Sequence, residues 1–283
     1  MSGKIWTLTK REYISFVYSK KTFLMLFSLV FFSEDVVGKM AELAVEAGMS
    51  INKLEPYLLI FSYTKYALIV PVMFAVLLSN FPVKENSGMF SIVRIGRRGW
   101  MLGELLYALF AGLTYLLLLL LGCILAMGQT GVFANQWSLY TTDFYSQYPE
   151  RFAENAELFI GAGTVTQGKP FFVLVQGMIL MLLNLFLLAQ LQMAFKMIGQ
   201  KTLGLFTVIA ITVFGAVGVN YFGKLKWIFP MAHAIYGTHF REFLAKPECP
   251  LVVSYIYFAI VNLAVFLLNM ELAKKVWIGD DGT

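Results

Sequence analysis

Glycine–lysine pairs are the first candidates for chemistry in this sequence, because such a pair ends the loop that cradles nucleotide phosphates. Four pairs occur, beginning at Gly3, Gly38, Gly168 and Gly223. The residues that follow them are Ile, Met, Pro and Leu, so none has both the earlier glycine and the following hydroxyl that the loop needs. We therefore expect no nucleotide site in this chain.

Histidine and cysteine give equally little support for catalysis. His233 and His239 are six residues apart and do not share one face of a helix. The motifs His-Glu-x-x-His and Gly-x-Ser-x-Gly are absent from the sequence. Cys123 and Cys249 lack the spacing of metal ligands. We expect no catalytic residue, no metal and no cofactor bound by this chain.

Lys65 is the one lysine well inside an apolar stretch, 56–80. A charge at the bilayer centre costs a few kcal/mol on insertion scales, so it is normally paired or faces water. Glu34 and Asp35 reach a similar depth if the first two helices are antiparallel neighbours. This arrangement predicts an intramembrane pair between Lys65 and one of the two acids. The alternative is that Lys65 snorkels outward and the acids end a short first span.

The composition is that of a membrane protein. Of the 283 residues, 59% are hydrophobic and only 14% are charged, whereas soluble domains average about half and a quarter. In water the folded chain would expose a large apolar surface. The net charge of +5 comes from basic residues scattered at loop ends, not from the basic stripe of a nucleic-acid surface. We expect contact with the lipid bilayer and none with nucleic acid.

Six apolar stretches predict an all-α integral membrane protein with six transmembrane helices. A bilayer core of roughly 30 Å needs about 20 mostly apolar residues per helix. The predicted spans are 22–40, 56–80, 100–127, 170–195, 202–222 and 251–272. The first is the weakest by composition, and we expect its helix to continue through Val36, Val37, Met40 and Leu43.

Basic residues in the flanks set the orientation. With the N-terminus inside, 13 of the 22 Lys and Arg residues lie in predicted cytoplasmic segments. We therefore expect both termini, including the tail 274–283, in the cytoplasm. Residues 1–21 are predicted to form an amphipathic helix at the membrane–water interface. The alternative is an ordinary basic segment that precedes the first span.

We treat 1–283 as one transmembrane domain, with spans 1–3 in 22–128 and spans 4–6 in 170–273. Two outside segments are longer than a connection needs. Residues 129–169 are expected to form an extracellular loop that folds as a small cap. Residues 223–250 are too apolar for a free loop, and a re-entrant outer hairpin would bury them.

The loop 81–100 carries an amphipathic pattern. Met89, Ile92 and Val93 fall at helical spacing, while Lys84, Glu85 and Arg94 can face away. Such a helix can insert into a groove on a partner protein. The alternative is a polar loop that merely follows the positive-inside rule.

The stretch Lys84-Glu85-Asn86-Ser87-Gly88-Met89-Phe90 resembles the segment after the second span in permease subunits of ABC-2-type transporters. The interfacial first helix, the six spans and the apolar hairpin before the sixth are similar to that family over the whole chain. The family's usual proline before the third span is absent, so the entry to that span is expected to differ.

The resemblance implies a mechanism. Two permease copies, expected as a homodimer, would pair and bind two cytoplasmic ABC ATPase subunits, and these partners would hold ATP and Mg²⁺. The expected coupling residues are Lys84, Glu85, Gly88, Met89, Ile92 and Arg94. Such permeases of the bacterial cytoplasmic membrane mostly export hydrophobic or amphipathic cargo, such as antimicrobial peptides, drugs, lipids or lipid-linked glycans.

A different class of function also fits the sequence. A six-span protein without an ATPase would have the same composition, either as a membrane-embedded enzyme or as an immunity or sensor protein that binds ligand on its outer loops.

Pairing of two copies is expected through the first and fifth spans. The fifth carries Gly204, Gly215 and Gly218, which permit close approach of helices; packing within one subunit is the alternative.

Overall fold

The computed structural model describes residues 2–82, 92–240 and 246–275, and helices dominate them. In chain order the α-helices are α1 (Ser2–Val17), α2 (Thr22–Phe32), α3 (Lys39–Glu46), α4 (Glu55–Ser62), α5 (Thr64–Leu77), α6 (Arg97–Met127), α7 (Leu139–Thr142), α8 (Phe144–Gln147), α9 (Pro149–Glu154), α10 (Ala162–Val165), α11 (Pro170–Met197), α12 (Lys201–Tyr221), α13 (Pro230–Ala234) and α14 (Leu251–Lys275).

Other elements are short. A π-helix, Ser33–Gly38, joins α2 to α3, and 3₁₀ helices cover Ala156–Leu158, Gly223–Ile228 and Tyr236–His239. The strands β1 (Ile51–Asn52) and β2 (Gly131–Val132) pair in parallel. Among the described residues the fold is therefore all-α apart from this single two-residue ladder.

Four helices, α6, α11, α12 and α14, are long and apolar enough to cross a membrane, and α4 with α5 makes a fifth if that bent pair is one span. The multi-pass helical character expected from composition is thus present. The first predicted span is helical from Thr22 to Glu46, but in three consecutive pieces. Val36, Val37 and Met40 are buried in that run, so the expected continuation of the helix is confirmed.

The second predicted span is broken. α4 ends at Tyr63, whose backbone is extended (φ −112°, ψ 126°), and α5 leaves at 87° to it. Hydropathy does not reveal the break, because apolar residues continue on both sides of it. Gly237 of the outer segment packs onto the break: a Cβ there would lie 2.5 Å from the carbonyl oxygen of Ser62.

The connections gather at two ends of the helix bundle. At one end β1 pairs with β2, and Glu46 bonds Arg151 at 3.0 Å. At the other, Arg97 donates to the carbonyl of Lys274 at 2.9 Å. The 31-residue helix α6 separates these ends by roughly 45 Å. Connections that were predicted on opposite sides of the membrane thus lie at opposite ends of the bundle.

Amide side chains join α11 to α14. Gln190 Nε2 donates to Asn262 Oδ1 at 2.7 Å, and Asn269 Nδ2 donates to the carbonyl of Gln190 at 3.1 Å. About four turns earlier in both helices, Tyr255 donates a hydrogen bond to Gln176. Interhelical hydrogen bonds of this kind add roughly 0.6–2 kcal/mol each in membrane proteins, so they fix the register of the two helices.

The predicted amphipathic helix at the N-terminus is present as α1, and its buried face includes polar residues. Leu8 and Phe16 are buried against α6, together with the polar Thr9 and Glu12, whereas Trp6 is 56% exposed. Helix packing, not amphipathicity alone, decides this face, because α6 offers Gly103 at the contact with Leu8.

The fifth-span glycines contact their own chain. A Cβ on Gly215 would lie 2.7 Å from Met231 Cβ, and one on Gly218 would lie 2.8 Å from Phe222 Cδ2. A Cβ on Gly204 would meet Phe195 Cβ at 2.6 Å. Close approach here serves packing within one subunit, and pairing of two copies stays a prediction.

Gly237→Ala tests the packing on the helix break. The new methyl group meets backbone rather than a movable side chain, so overpacking should cost about 1–3 kcal/mol and lower the thermal midpoint in detergent. Reaction of a thiol-specific dye with the buried cysteines reports the unfolding. Gly161→Ala is the matched control, since nothing lies within 4 Å of its Cβ position. Equal midpoints for the two variants would contradict the close contact.

Candidate functional site

Only part of the predicted coupling segment is described. Four of its six residues fall outside the described ranges: Lys84, Glu85, Gly88 and Met89. Residues 92–95 are helical, with Ile92 buried and Arg94 exposed on the surface. Gly96, with φ 85°, then turns the chain into α6, a conformation that favours glycine. The short helix of residues 92–95 therefore ends before Gly96.

Two lysines at the turn between α11 and α12 hold the chain where the predicted coupling loop 81–100 begins. Lys196 Nζ donates to the carbonyl of Asn80 at 2.5 Å and also to the carbonyl of Pro82. Lys201 Nζ donates to Asn80 Oδ1 at 2.7 Å. Hydrogen bonds to charged groups contribute about 1.5–3 kcal/mol, so this end of the loop is tied to α11 and α12.

Lys21, in the turn between α1 and α2, holds the same segment. Its Nζ donates to Ser79 Oγ at 2.7 Å. Burial lowers the pKa of Lys21, and the positive charge of Lys201 lowers it further, so the two ammonium groups lie close together. We call Lys21, Lys196 and Lys201 the basic clamp. The sequence contains these residues as basic flanks of spans, but nothing in it indicates that they converge.

The other end of the coupling segment is also fixed. Where it enters α6, Thr9 Oγ1 of α1 donates to the carbonyl of Gly103 at 3.0 Å. Arg97 reaches the carbonyl of Lys274 in α14. The chain is therefore anchored on both sides of residues 83–96: by α11, α12 and Lys21 before them, and by α1 and α14 after them.

Lys65 pairs with an acid other than the two expected. Its Nζ lies 3.0 Å from both carboxylate oxygens of Glu157. Asp35 bonds Lys39 instead, and Glu34 is exposed. The expectation assumed a straight second helix; the 87° break at Tyr63 turns Lys65 towards the outer loop.

A cavity of about 1200 Å³ opens beside Lys65. The helix break forms its floor, α12 forms one wall, and the loop 129–169 and the outer segment cover it. Its lining residues include Tyr63, Lys65, Phe159, Val217 and Thr238. The segment 129–169 does fold as a small helical cap, in which aromatic rings stack around Phe159.

The outer hairpin, 223–250 in the part that is described, consists of short helices packed on α12 and α14. Its insertion into a membrane stays a prediction. Buried Lys226 bonds Glu248 at 2.6 Å across the hairpin. His233 Nε2 lies 2.8 Å from the carbonyl of Trp227, and His233 Nδ1 lies 2.7 Å from Ser254 Oγ. His233 thus donates to the carbonyl through Nε2 and accepts from the serine through Nδ1, which is the neutral ring.

Glu55 was not among the residues predicted to be functional. This buried carboxylate accepts hydrogen bonds from Ser138 N at 2.8 Å, from Ser138 Oγ at 2.6 Å and from Asn52 N at 3.2 Å. It joins the start of α4 to the cap. An acid before proline at a helix start is a recognisable pattern, but the partner eighty residues away is not.

No family model matches the chain, and no curated protein or solved structure matches it. In the described ranges no group of three or more His, Cys, Asp or Glu could hold a metal ion. The described residues thus place the hydrogen bonds of three lysines to residues 79–82 at one end of the bundle and the cavity at the other.

A lower pH should destabilise the outer hairpin. Burial lowers the pKa of His233 to about 4, from an ordinary value of 6.5. Between pH 6.5 and 4 the unfolded chain binds a proton that the folded chain does not, so stability is full above pH 6.5 and falls by up to about 3 kcal/mol as pH drops towards 4.

The measurement is the thiol-labelling rate of Cys249, whose carbonyl accepts from His239 Nδ1 at 2.8 Å. Labelling should accelerate as pH falls from 6.5, after correction for thiolate fraction with a denatured sample. His233→Gln keeps a donor but cannot titrate, so its profile should be flatter. Identical profiles for native and variant chains would rule out His233 as the cause.

Proposed function

We propose that this chain is the permease subunit of an ABC-2-type exporter that moves hydrophobic or amphipathic cargo out of a bacterial cell. Two copies pair and bind two cytoplasmic ATPase subunits, which hold the ATP and Mg²⁺. The contact with the ATPase is the segment from Lys84 to Arg94. Support comes from the residues of that segment and from the multi-pass helical architecture.

The observation that carries the proposal is the double anchoring of the coupling segment. The basic clamp ties its beginning to α11, α12 and the α1–α2 turn. Its end enters α6, which packs on α1 and contacts α14. A loop that only obeyed the positive-inside rule would need neither anchor.

In this arrangement, displacement of the coupling segment by the ATPase would change how the membrane helices pack. Close-packed helices shift as rigid bodies rather than deform continuously. An ATPase that displaces the segment would pull on the clamp and on the start of α6 together. The start of α6 would then move relative to the turn between α11 and α12, and a shift of packed helices of this kind opens a path between them.

A second candidate is a membrane protein without an ATPase that binds its ligand on the outer side. The cavity of about 1200 Å³ under the cap favours it. Co-purification separates the two. The exporter should bring down a roughly stoichiometric chain with a phosphate-binding loop and ATPase activity. A tagged chain that is recovered alone after mild crosslinking in its native membrane would contradict the exporter.

Weakening the clamp should alter ATPase turnover without dissociating the complex. Lys196→Met combined with Lys201→Met removes the bonds to Asn80 and Pro82, so we expect turnover to change several-fold while the ATPase still co-purifies. Glu85→Arg, within the proposed contact itself, should reduce co-purification as well. Membrane insertion should be unchanged in both.

The matched control is Lys224→Met, the same substitution at an exposed lysine of the outer hairpin. It should leave turnover and association at the native level. Native turnover in the clamp double variant would show that the clamp does not transmit motion.

A further inference from the structure

The cavity beneath the cap has the size and the chemistry of a binding site. Ligand pockets for drug-sized molecules measure roughly 300–1,000 Å³, and this cavity measures about 1200 Å³. It is bounded by the helix break at Tyr63, the outer half of α12, the cap and the outer hairpin. An occupant larger than a typical drug molecule fits it.

Polar side chains also line the cavity. Thr164, Thr238 and Asn220 contribute two hydroxyl groups and one amide to its lining. Ligand pockets hold the polar part of an occupant with a few groups of this kind.

Lys65 lines the cavity. Its ammonium lies 3.0 Å from the carboxylate of Glu157, which stands next to the lining rather than in it. Lys65 and Glu157 form an ion pair whose side chains are 50% and 41% exposed. An anionic ligand would meet repulsion from Glu157, and a cationic one from Lys65. A zwitterionic group avoids both penalties, since its anion can face the ammonium and its cation the carboxylate.

Aromatic rings surround the same space. Tyr63, Tyr145, Phe152, Phe159 and Tyr221 all line the cavity. Faces of aromatic rings attract organic cations, quaternary ammonium groups above all. The cation of the occupant is therefore expected among these rings and close to Glu157.

One wall of the cavity belongs to a helix that can cross the membrane. Val213, Val217 and Tyr221 of α12 line the cavity and are 39%, 41% and 79% exposed. An exposed apolar face on such a helix adjoins lipid, so an acyl chain can enter sideways along it. A soluble zwitterion would gain nothing from this wall.

We propose that the cavity binds a zwitterionic membrane amphiphile, with its acyl chain against α12 and its headgroup across the Lys65–Glu157 pair. The site needs no ATP and no partner chain, so a failed binding test would not count against the exporter function, and a failed exporter test would not count against this site.

The test measures binding of two labelled probes to the purified chain in detergent, without ATP: lysophosphatidylcholine, which is zwitterionic, and lysophosphatidylglycerol, which is anionic. The zwitterionic probe should bind at least tenfold more tightly. Val217→Trp fills the cavity and should weaken its binding at least tenfold. Phe214→Trp, on the same helix but outside the cavity and 61% exposed, should not.

The charge variants give a result that misfolding cannot imitate. Glu157→Gln leaves Lys65 unpaired, so affinity for the anionic probe should rise while that for the zwitterionic probe falls. Arg151→Gln breaks the exposed pair with Glu46 elsewhere on the cap and should change neither. Equal affinity for the two probes, binding unaffected by Val217→Trp, or displacement of the probe by a cationic amphipathic peptide but not by unlabelled lysophosphatidylcholine would each overturn the proposal.

Discussion

The break at Tyr63 is the constraint on which most of this structure depends. A helix that ends within an apolar bundle leaves carbonyl and N–H groups that lipid cannot satisfy, so non-helical backbone is tolerated there only when protein or water covers it. Gly237 of the outer hairpin packs directly on Ser62. The hairpin in turn depends on buried polar contacts, above all those of His233 and Lys226. The cap, tied to α4 through Glu55, completes the cover.

The same break creates the cavity and decides the partner of Lys65. α5 leaves at 87°, and Lys65 in the first turn of α5 pairs with Glu157 of the cap. At the opposite end of the bundle, Lys196 donates to backbone carbonyls and Lys201 donates to the side chain of Asn80.

Composition and hydropathy predicted the membrane character, the long helices α6, α11, α12 and α14, and the cap and hairpin as ordered segments. They could not predict the break, because Ser62, Tyr63 and Thr64 are polar but none of them excludes a continuous helix. The basic clamp was visible only as flanking charge, since its geometry depends on the fold bringing Lys196 to Asn80. Likewise Glu55 meets Ser138, and Lys65 meets Glu157, over separations that no local pattern encodes. The coupling role of Glu85 and its neighbours rests on the sequence alone.

Sidedness is the most direct test of this account, since it requires the cap and the coupling segment on opposite faces of the membrane. In a chain whose cysteines are replaced, a single cysteine at Gly161, in the cap, or at Gly199, beside the clamp, is treated with a membrane-impermeant maleimide on intact cells. The account predicts that Gly161→Cys is labelled at once and Gly199→Cys only after the membrane is permeabilised. Labelling of both from outside would contradict it.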